Sequence, residues 1–204
     1  MNKYKFKLEK TLNNPHPLIS QAIKKYNLFD IDRYGVKGIS RVSVNIRVSP
    51  SSQNRAFRIM DSLFKCFEKN GYKIEKFSTY TRVIIGNEHI SILLTEKTKL
   101  VAKTLREDRY SYETYDWIYE PTGILSLEIN EYISENIKLK FADSKSIILE
   151  DQLIDFIDTV FKVAEIKKRD TEKREKENKE YEIKKKLMPI INYVWNMKLN
   201  KFKT

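Results

Sequence analysis

Cysteine and glycine are scarce in this 204-residue chain, and their scarcity excludes several kinds of site. The single cysteine, Cys66, allows neither an internal disulfide nor a cysteine zinc site, and it fits a reducing cytoplasm, where we expect the protein to be located. The chain has only five glycines and contains neither GxxxxGK[ST] nor GxGxxG, so no glycine-rich phosphate loop is indicated. We therefore expect no cofactor.

Long apolar runs are also missing. No stretch approaches the roughly 18 apolar residues that a membrane-spanning helix requires. The first ten residues, MNKYKFKLEK, lack the apolar core of a signal peptide. We therefore expect a soluble protein without a membrane partner.

Positive charge is what the chain has in excess. It contains 39 Lys and Arg against 28 Asp and Glu, giving a formal net charge of +11 and a pI of about 9.5. Such an excess favours a polyanionic partner, with nucleic acid first and acidic protein or anionic membrane second. A lysine-rich chain from an AT-rich bacterial genome can also be basic without any such partner.

The stretch RVSVNIRVSPSSQNRAFRIMDSLFKCFEKNGY, residues 41–72, predicts a strand followed by a helix. Valine and isoleucine alternate with polar residues up to Val48, as in a strand with one buried face. Ser49 is the predicted N-cap of the helix, with Pro50 at its first position, and Gly71 is the predicted stop. The apolar side of this helix is formed by Ala56, Phe57, Ile59, Met60, Leu63, Phe64 and Phe67.

The other side of the same helix is basic. Its residues follow at intervals of 3, 4, 3 and 4, and they are Arg55, Arg58, Ser62, Lys65 and Lys69. This stripe could line a nucleic-acid backbone, or it could be an ordinary solvated face.

The middle of the chain predicts antiparallel strands. One hairpin turns at Gly86-Asn87, and ILSLEINEY with IKLKFAD forms a second. We expect the aromatic stretch between them, REDRYSYETYDWIYEPTG, to be a loop or a short helix at the sheet edge. If the strands align, one polar face collects Arg41, Arg47, Lys138 and Lys140, joined by Ser126 and Tyr132. Such a face suits nucleic acid or a protein strand, and the alternative is a solvated or helix-covered face.

The C-terminal part predicts helix. An apolar stripe begins near residue 147 with Leu149 and Leu153 and ends at Ala164. Residues 165–186 carry ten positive and seven negative charges, which indicates an exposed helix or partial disorder. Pro189 is expected to kink or restart the helix. The last helix has Ile190, Val194 and Met197 on one side, and we expect it to fold back or to dock on a second copy.

The predicted fold class is α+β: an antiparallel sheet with helices on one face, followed by a long charged C-terminal helix. This element order is similar to that of TATA-binding-protein-like domains. The predicted organisation is an extended arm at 1–17, an α+β domain at 18–164 and a helical extension at 165–204.

Five stretches together resemble a family of bacterial hypothetical proteins: NNPHPLI, IRVSPSSQNRAFRIMDSLFKCFEKNGY, YEPTGILSLEI, FADSKSIILEDQLIDFI and a charged helix ending in YVWNMKL. The resemblance covers nearly the whole chain, with Phe141 and Ser144 departing from the family's usual Trp and Gly. It implies an association with DNA and with mobile elements, and it supplies no catalytic residues. Longer members begin with a helix-turn-helix-like segment, which we expect to be absent here.

Catalysis is the weaker hypothesis. The two histidines, His16 and His89, have no second ligand at metal-ligand spacing, so we predict no metal site. A metal-dependent nuclease needs clustered carboxylates and usually a lysine, for which the candidates are Glu128, Glu131, Asp143, Lys145, Glu150 and Asp151. We predict a non-enzymatic interaction or DNA-associated accessory protein. A metal-dependent nuclease or other hydrolase, and a protein-binding scaffold, remain as alternatives.

Overall fold

The structure is a computed structural model that describes residue 4 and residues 6–40, 43–105 and 115–201. The chain divides into two compact units, Met1–Ala164 and Glu165–Thr204. Regular structure runs in the order α1 (Pro17–Tyr26), β1 (Lys37–Gly38), β2 (Ile46–Val48), α2 (Gln53–Lys69), β3 (Lys73–Phe77), β4 (Tyr80–Ile85), β5 (Glu88–Leu105), β6 (Tyr115–Ile129), β7 (Lys140–Ala142), a 3-10 helix (Leu149–Gln152) and α3 (Leu153–Lys201).

The seven strands form one open sheet. Strands β3 to β7 follow one another as antiparallel neighbours. Residues 88–92 of β5 pair with β4 in the antiparallel direction. Further along β5, Leu94 and Thr95 pair with β2 in the parallel direction. Because β6 occupies the other edge of β5 at these positions, β2 and β4 lie end to end along the same edge. The predicted α+β class is confirmed, with this one parallel contact inside a mostly antiparallel sheet.

The apolar core lies between the helices and one face of the sheet. That face carries Ile46, Val83, Ile92, Leu94 and Leu127, all of them fully buried. The helices contribute residues to the same cluster, for example Ile19 and Ala22 from α1, Phe57, Met60, Leu63 and Phe67 from α2, and Leu153, Phe156 and Val160 from α3. Burial of one such side chain typically stabilises a fold by about 1.5–3 kcal/mol. The helices therefore share one face of the sheet, as predicted, and the other face has no part in this cluster.

Helix α2 begins later than predicted. Ser49 does not cap it; Ser52 precedes its first residue, Gln53. The reason is the buried carboxylate of Glu96, whose Oε2 accepts the backbone N–H of Ser49 at 2.8 Å and so holds that residue in the sheet-to-helix turn. The predicted end is confirmed, since α2 stops at Lys69 and Gly71 has a φ of +85°.

The aromatic stretch after residue 105 was predicted to be a loop or a short helix, and this prediction is wrong for its second half. Residues 115–123 belong to β6, which pairs with β5 as far out as Leu105↔Tyr115. The first half, residues 106–114, lies outside the described residues. A break in register between Glu96 and Thr98 marks the base of this long hairpin. There the Oε1 of Glu96 accepts the N–H of Gly123 at 2.7 Å, so one carboxylate secures both the hairpin and the start of α2.

The second unit is the distal part of α3. The helix continues to Lys201 with Pro189 inside it, so the expected restart at that proline is not observed. Two spaced pairs, Lys168–Glu172 and Lys173–Glu177, each have an N–O distance of 3.9 Å at i,i+4 spacing. Such exposed pairs contribute only about 0.3–0.5 kcal/mol each, a small addition to the stability of a helical segment with almost no apolar residues.

A tight contact at Gly35 gives a first testable prediction. Gly35 has a φ of +75°, and a Cβ added there would lie 2.7 Å from the Cδ of Pro121 in the hairpin. We expect Gly35→Ala to lower the free energy of unfolding by about 1–3 kcal/mol in urea titration. Gly123→Ala is the matched control, because its φ is also +75° but no atom lies within 4 Å of the added Cβ. Equal losses in the two variants would contradict a role for the Pro121 contact.

Candidate nucleic-acid interface

The basic stripe predicted on α2 is largely engaged within the protein. The Arg55 guanidinium donates two hydrogen bonds of 2.7 Å to the two oxygens of Asp143 and a third, from Nε, of 2.8 Å to Glu150. Arg58 lies 3.4 Å from Glu150, and Lys65 lies 2.7 Å from Asp61. These cations are therefore matched by carboxylates at close range.

The N-terminal arm, residues 6–16, crosses this same side of α2. The carbonyl oxygen of Lys10 accepts from Arg58 at 3.2 Å, and that of Asn13 accepts from Lys65 at 3.4 Å. The side chain of buried His16 caps α1 through the N–H of Leu18, and its Nε2 lies 3.0 Å from Glu68. Of the four predicted cations on α2, only Lys69 is an exposed residue, so this stripe offers little charge to a nucleic-acid backbone.

Asp143 and Glu150, two of the candidate nuclease carboxylates, are held by hydrogen bonds within the protein. Besides Arg55, Asp143 accepts the backbone N–H groups of Leu125 and Leu149, each at 2.7 Å. Burial opposes ionisation of Asp143, but the hydrogen bonds from Arg55 and the two N–H groups outweigh it and lower its pKa. Hydrogen bonds from Arg55 likewise lower the pKa of Glu150 against the opposing effect of burial. The same contacts, that with Glu150 first, raise the pKa of Arg55.

These carboxylates are poorly suited to hold a metal ion. Both oxygens of Asp143 already accept two hydrogen bonds each, and Arg55 donates to both oxygens of Glu150. Within the ranges that the structure describes, no group of three or more His, Cys, Asp or Glu side chains is placed to bind a metal. Over the same ranges, no helix is both long enough and apolar enough to cross a membrane.

The helix-free face of the sheet, here called the open face, brings together part of the second predicted set. Register places Arg47 beside Thr95, Thr95 beside Ser126 and Ser126 beside Ala142. Two residues before Thr95 on β5, Leu93 pairs with Glu128, and Glu128 pairs in turn with Lys140. Paired residues point to the same face of a sheet, and so do residues i and i+2 of one strand, so Arg47 and Lys140 share the open face.

The remaining members of that set lie elsewhere. Lys138 precedes β7, and its Nζ lies 4.2 Å from the ring centroid of Phe141 and 3.2 Å from the Oε1 of Gln152. Phe141 is a core residue, so Lys138 reaches toward the helical side. Tyr132 is exposed but outside the strands, and Arg41 lies outside the described residues. The seven predicted cations that the structure describes are thus divided between two sides of the sheet and do not form one surface.

An arginine–aromatic cluster stands at the β2 end of the open face. The Arg47 guanidinium lies 4.8 Å from the ring centroid of Tyr34, whose ring is 4.6 Å from that of Tyr119 on β6. Arg33 lies 5.1 Å from the same Tyr34 ring. Asp32 accepts from Arg47 at 2.5 Å and so fixes the direction of its guanidinium. We call Arg47, Tyr34, Tyr119 and Arg33 the first cluster.

A second arginine–aromatic cluster lies at the β3–β4 turn. The Arg82 guanidinium is 4.3 Å from the ring centroid of Phe77 and 5.7 Å from that of Tyr80. Phe77 is 54% exposed and Tyr80 38% exposed, which is unusual for large aromatic side chains in strands. No carboxylate of the described chain lies within ion-pair distance of Arg82. We call these three residues the second cluster.

The central arginines of the two clusters, Arg47 and Arg82, lie on the open face and on strands that pair with the same edge of β5. Arg82 pairs with Ser91, and Arg47 pairs with Thr95. Four residues of a strand span about 13 Å, so the clusters are separated by roughly that distance along β5. Phe77 and Tyr80 are exposed, whereas Tyr34 and Tyr119 are half-buried. Aromatic rings beside guanidinium groups are the elements that stack unpaired bases.

No family model, curated protein or solved structure matches this chain.

Sequence reasoning identified Arg47 and missed the second cluster. The signal was present in FSTYTRV, where an aromatic residue two positions before an arginine shares its face of a strand. This signal alone did not predict the cluster, because Phe77 lies on another strand. Phe77 reaches Arg82 only through the β3–β4 pairing Phe77↔Tyr80.

Proposed function

We propose that this protein is a non-enzymatic accessory protein that binds single-stranded nucleic acid on the open face of its sheet. The observation that carries the proposal is the presence of the two arginine–aromatic clusters on the face that the helices leave uncovered. Base–aromatic stacking contributes about 1–3 kcal/mol per base, and arginine adds cation–π and phosphate contacts.

The charge distribution favours a single strand over a duplex. Asp32 offsets Arg47, and Glu128 lies 3.1 Å from Lys140, so the open face is not strongly basic. Duplex binding depends mainly on neutralising phosphates, whereas unpaired bases also gain from stacking. We therefore expect binding that weakens with salt only moderately.

The bacterial and mobile-element context is part of the same proposal. It is supported by the resemblance of NNPHPLI, RVSPSSQNRAFRIMD and the charged helix to bacterial proteins associated with DNA, together with the formal charge of +11. A protein partner that occupies the clusters instead of nucleic acid is the alternative, because exposed aromatic and arginine residues are also common at protein interfaces.

The hydrolase alternative is less favoured. It requires carboxylates that are available to a metal ion, and Asp143 and Glu150 are held by Arg55 and by backbone N–H groups. Glu128 is paired with Lys140, and Glu131 accepts from the N–H of Ser91 at 2.7 Å.

The test is fluorescence anisotropy with labelled single- and double-stranded DNA at low and moderate salt, with and without Mg²⁺, and with the products run on a gel. The proposal predicts tighter binding to the single strand and intact DNA in every lane. Cut DNA would establish the hydrolase alternative. An absence of binding at low salt would contradict a nucleic-acid role and direct the search to protein partners.

A further inference from the structure

We infer that the C-terminal end of α3 is a docking site for an acidic amphipathic helix of a partner protein. The site is an apolar seam at spacings of 4, 3, 4 and 3: Ile183, Leu187, Ile190, Val194 and Met197. This is the spacing that places side chains along one line of a coiled coil. The backbone is helical throughout these positions, because α3 continues to Lys201. This inference is independent of the open face and of nucleic-acid binding.

The described apolar side chains of this region are exposed. Of Tyr181, Ile183, Leu187, Met188 and Ile191, the least exposed is Leu187 at 47% and the most exposed is Tyr181 at 64%. A helix whose upstream part consists almost entirely of charged residues has no need of such an apolar group for its own stability. Exposed apolar residues at heptad spacing are typical of a surface that a second helix covers.

The charges beside the seam determine the kind of partner. Residues 183–201 contain five lysines, at 184, 185, 186, 198 and 201, and no Asp or Glu. Lys184 and Lys186 occupy the positions that flank the seam, where coiled coils form interhelical ion pairs. A partner helix with leucine or isoleucine along its seam and glutamate at the flanking positions would bury the apolar side chains and neutralise these lysines.

A second copy of this chain fits less well. It would bring the same lysines to the interface with no acidic residue of residues 183–201 to offset them, and like charges across a helix pair disfavour association. A different protein therefore suits the last helix better than a second copy does.

An anionic membrane surface also fits less well. A helix that lies in a bilayer interface needs a wide, uninterrupted apolar sector. On a helical projection, Lys184 shares its angular position with Ile191 and lies between the seam and Met188. This lysine would interrupt the sector that has to enter the lipid, whereas a glutamate of a partner helix can pair with it.

The test uses the full chain and a fluorescein-labelled synthetic peptide of four heptads, with isoleucine and leucine along the seam and glutamate at both flanking positions. We expect saturable binding by anisotropy at micromolar peptide. A peptide of the same seam with lysine at the flanking positions should bind at least tenfold more weakly. Leu187→Glu in the protein should weaken binding of the acidic peptide at least tenfold, and Tyr181→Glu, off the seam, should change it less than threefold.

Three results would overturn the inference. The first is equal binding of the acidic and basic peptides, or an equal loss of affinity for the acidic peptide in Leu187→Glu and Tyr181→Glu. The second is a dimer in sedimentation equilibrium that Leu187→Glu converts to a monomer, which would assign the seam to a second copy. The third is cosedimentation with phosphatidylserine vesicles without binding of the acidic peptide, which would assign it to a membrane surface. Circular dichroism of each variant confirms that the helix content is retained.

Discussion

Replacement of Asp143 by alanine is expected to lower the free energy of unfolding by about 3–5 kcal/mol. The Asp143 carboxylate accepts four hydrogen bonds, two from Arg55 and one each from the N–H groups of Leu125 and Leu149. The substitution leaves a partly buried guanidinium with Glu150 alone and leaves two N–H groups without their acceptor, and both losses are costly in a protein interior. Urea unfolding monitored by circular dichroism measures the change.

The control for this substitution is Lys145→Ala, two residues away at an exposed position. It should change the free energy of unfolding by less than about 0.5 kcal/mol. A loss below about 1 kcal/mol in Asp143→Ala would contradict the structural role of the cluster. Such a result would reopen a catalytic role for this carboxylate.

The same cluster predicts how stability depends on pH. The folded-state pKa values of Asp143 and Glu150 are lowered, so the stability they contribute is complete above their unfolded pKa values, near 4, and is lost as the pH falls through the folded values. Between pH 5 and pH 2 the wild type should therefore lose more stability than Asp143→Ala, measured by thermal unfolding. Parallel losses in the two proteins would contradict this assignment.

The second large effect is expected on binding. The double variant Arg47→Ala/Arg82→Ala removes one arginine from each cluster and should weaken single-stranded DNA binding about thirtyfold. Each arginine contributes about 1 kcal/mol when it lies over an aromatic face at a partly exposed site, and about 1.4 kcal/mol corresponds to a tenfold change in affinity. The variant should remain folded, because the ion pair that it removes, Arg47–Asp32, is exposed and contributes about 0–1 kcal/mol.

The matched control for binding removes the same charge from the helices. Lys24→Ala/Lys69→Ala also lowers the net charge by two, and both residues are exposed on helices that cover the other side of the sheet. It should weaken binding less than threefold. An equal loss in the two double variants would mean that net charge rather than the clusters determines binding.

The fold class was predictable because its signals are local. The stripe from Ala56 to Phe67 predicted a helix that the structure confirms, and the turn at Gly86-Asn87 predicted the β4–β5 hairpin. The start of α2 was not predictable, since it depends on Glu96, which lies 47 residues from Ser49 and becomes its hydrogen-bond acceptor only in the folded sheet. The first part of β6, residues 115–123, was predicted to be a loop or a short helix because its aromatic and charged residues lack the alternation of a strand with one buried face.

The candidate site was less predictable than the fold. Spacing alone grouped Arg55 with Arg58, Lys65 and Lys69, and nothing in the spacing indicated that Asp143 and Glu150 would approach Arg55 from positions 88 and 95 residues away. Conversely, Arg82 and Phe77 are separated by a turn, and only strand pairing places them together. Side chains that are brought together by distant segments leave no periodic signal in a sequence.

The most direct test of the open face as the binding surface is photo-crosslinking. A single-stranded oligonucleotide containing 5-bromodeoxyuridine is irradiated with the protein, and the crosslinked peptides are identified by mass spectrometry. We expect crosslinks in peptides that contain Tyr34, Phe77 or Tyr80, and a loss of these crosslinks in Arg47→Ala/Arg82→Ala. Crosslinks confined to peptides from α2 or from the charged part of α3 would contradict binding on the open face.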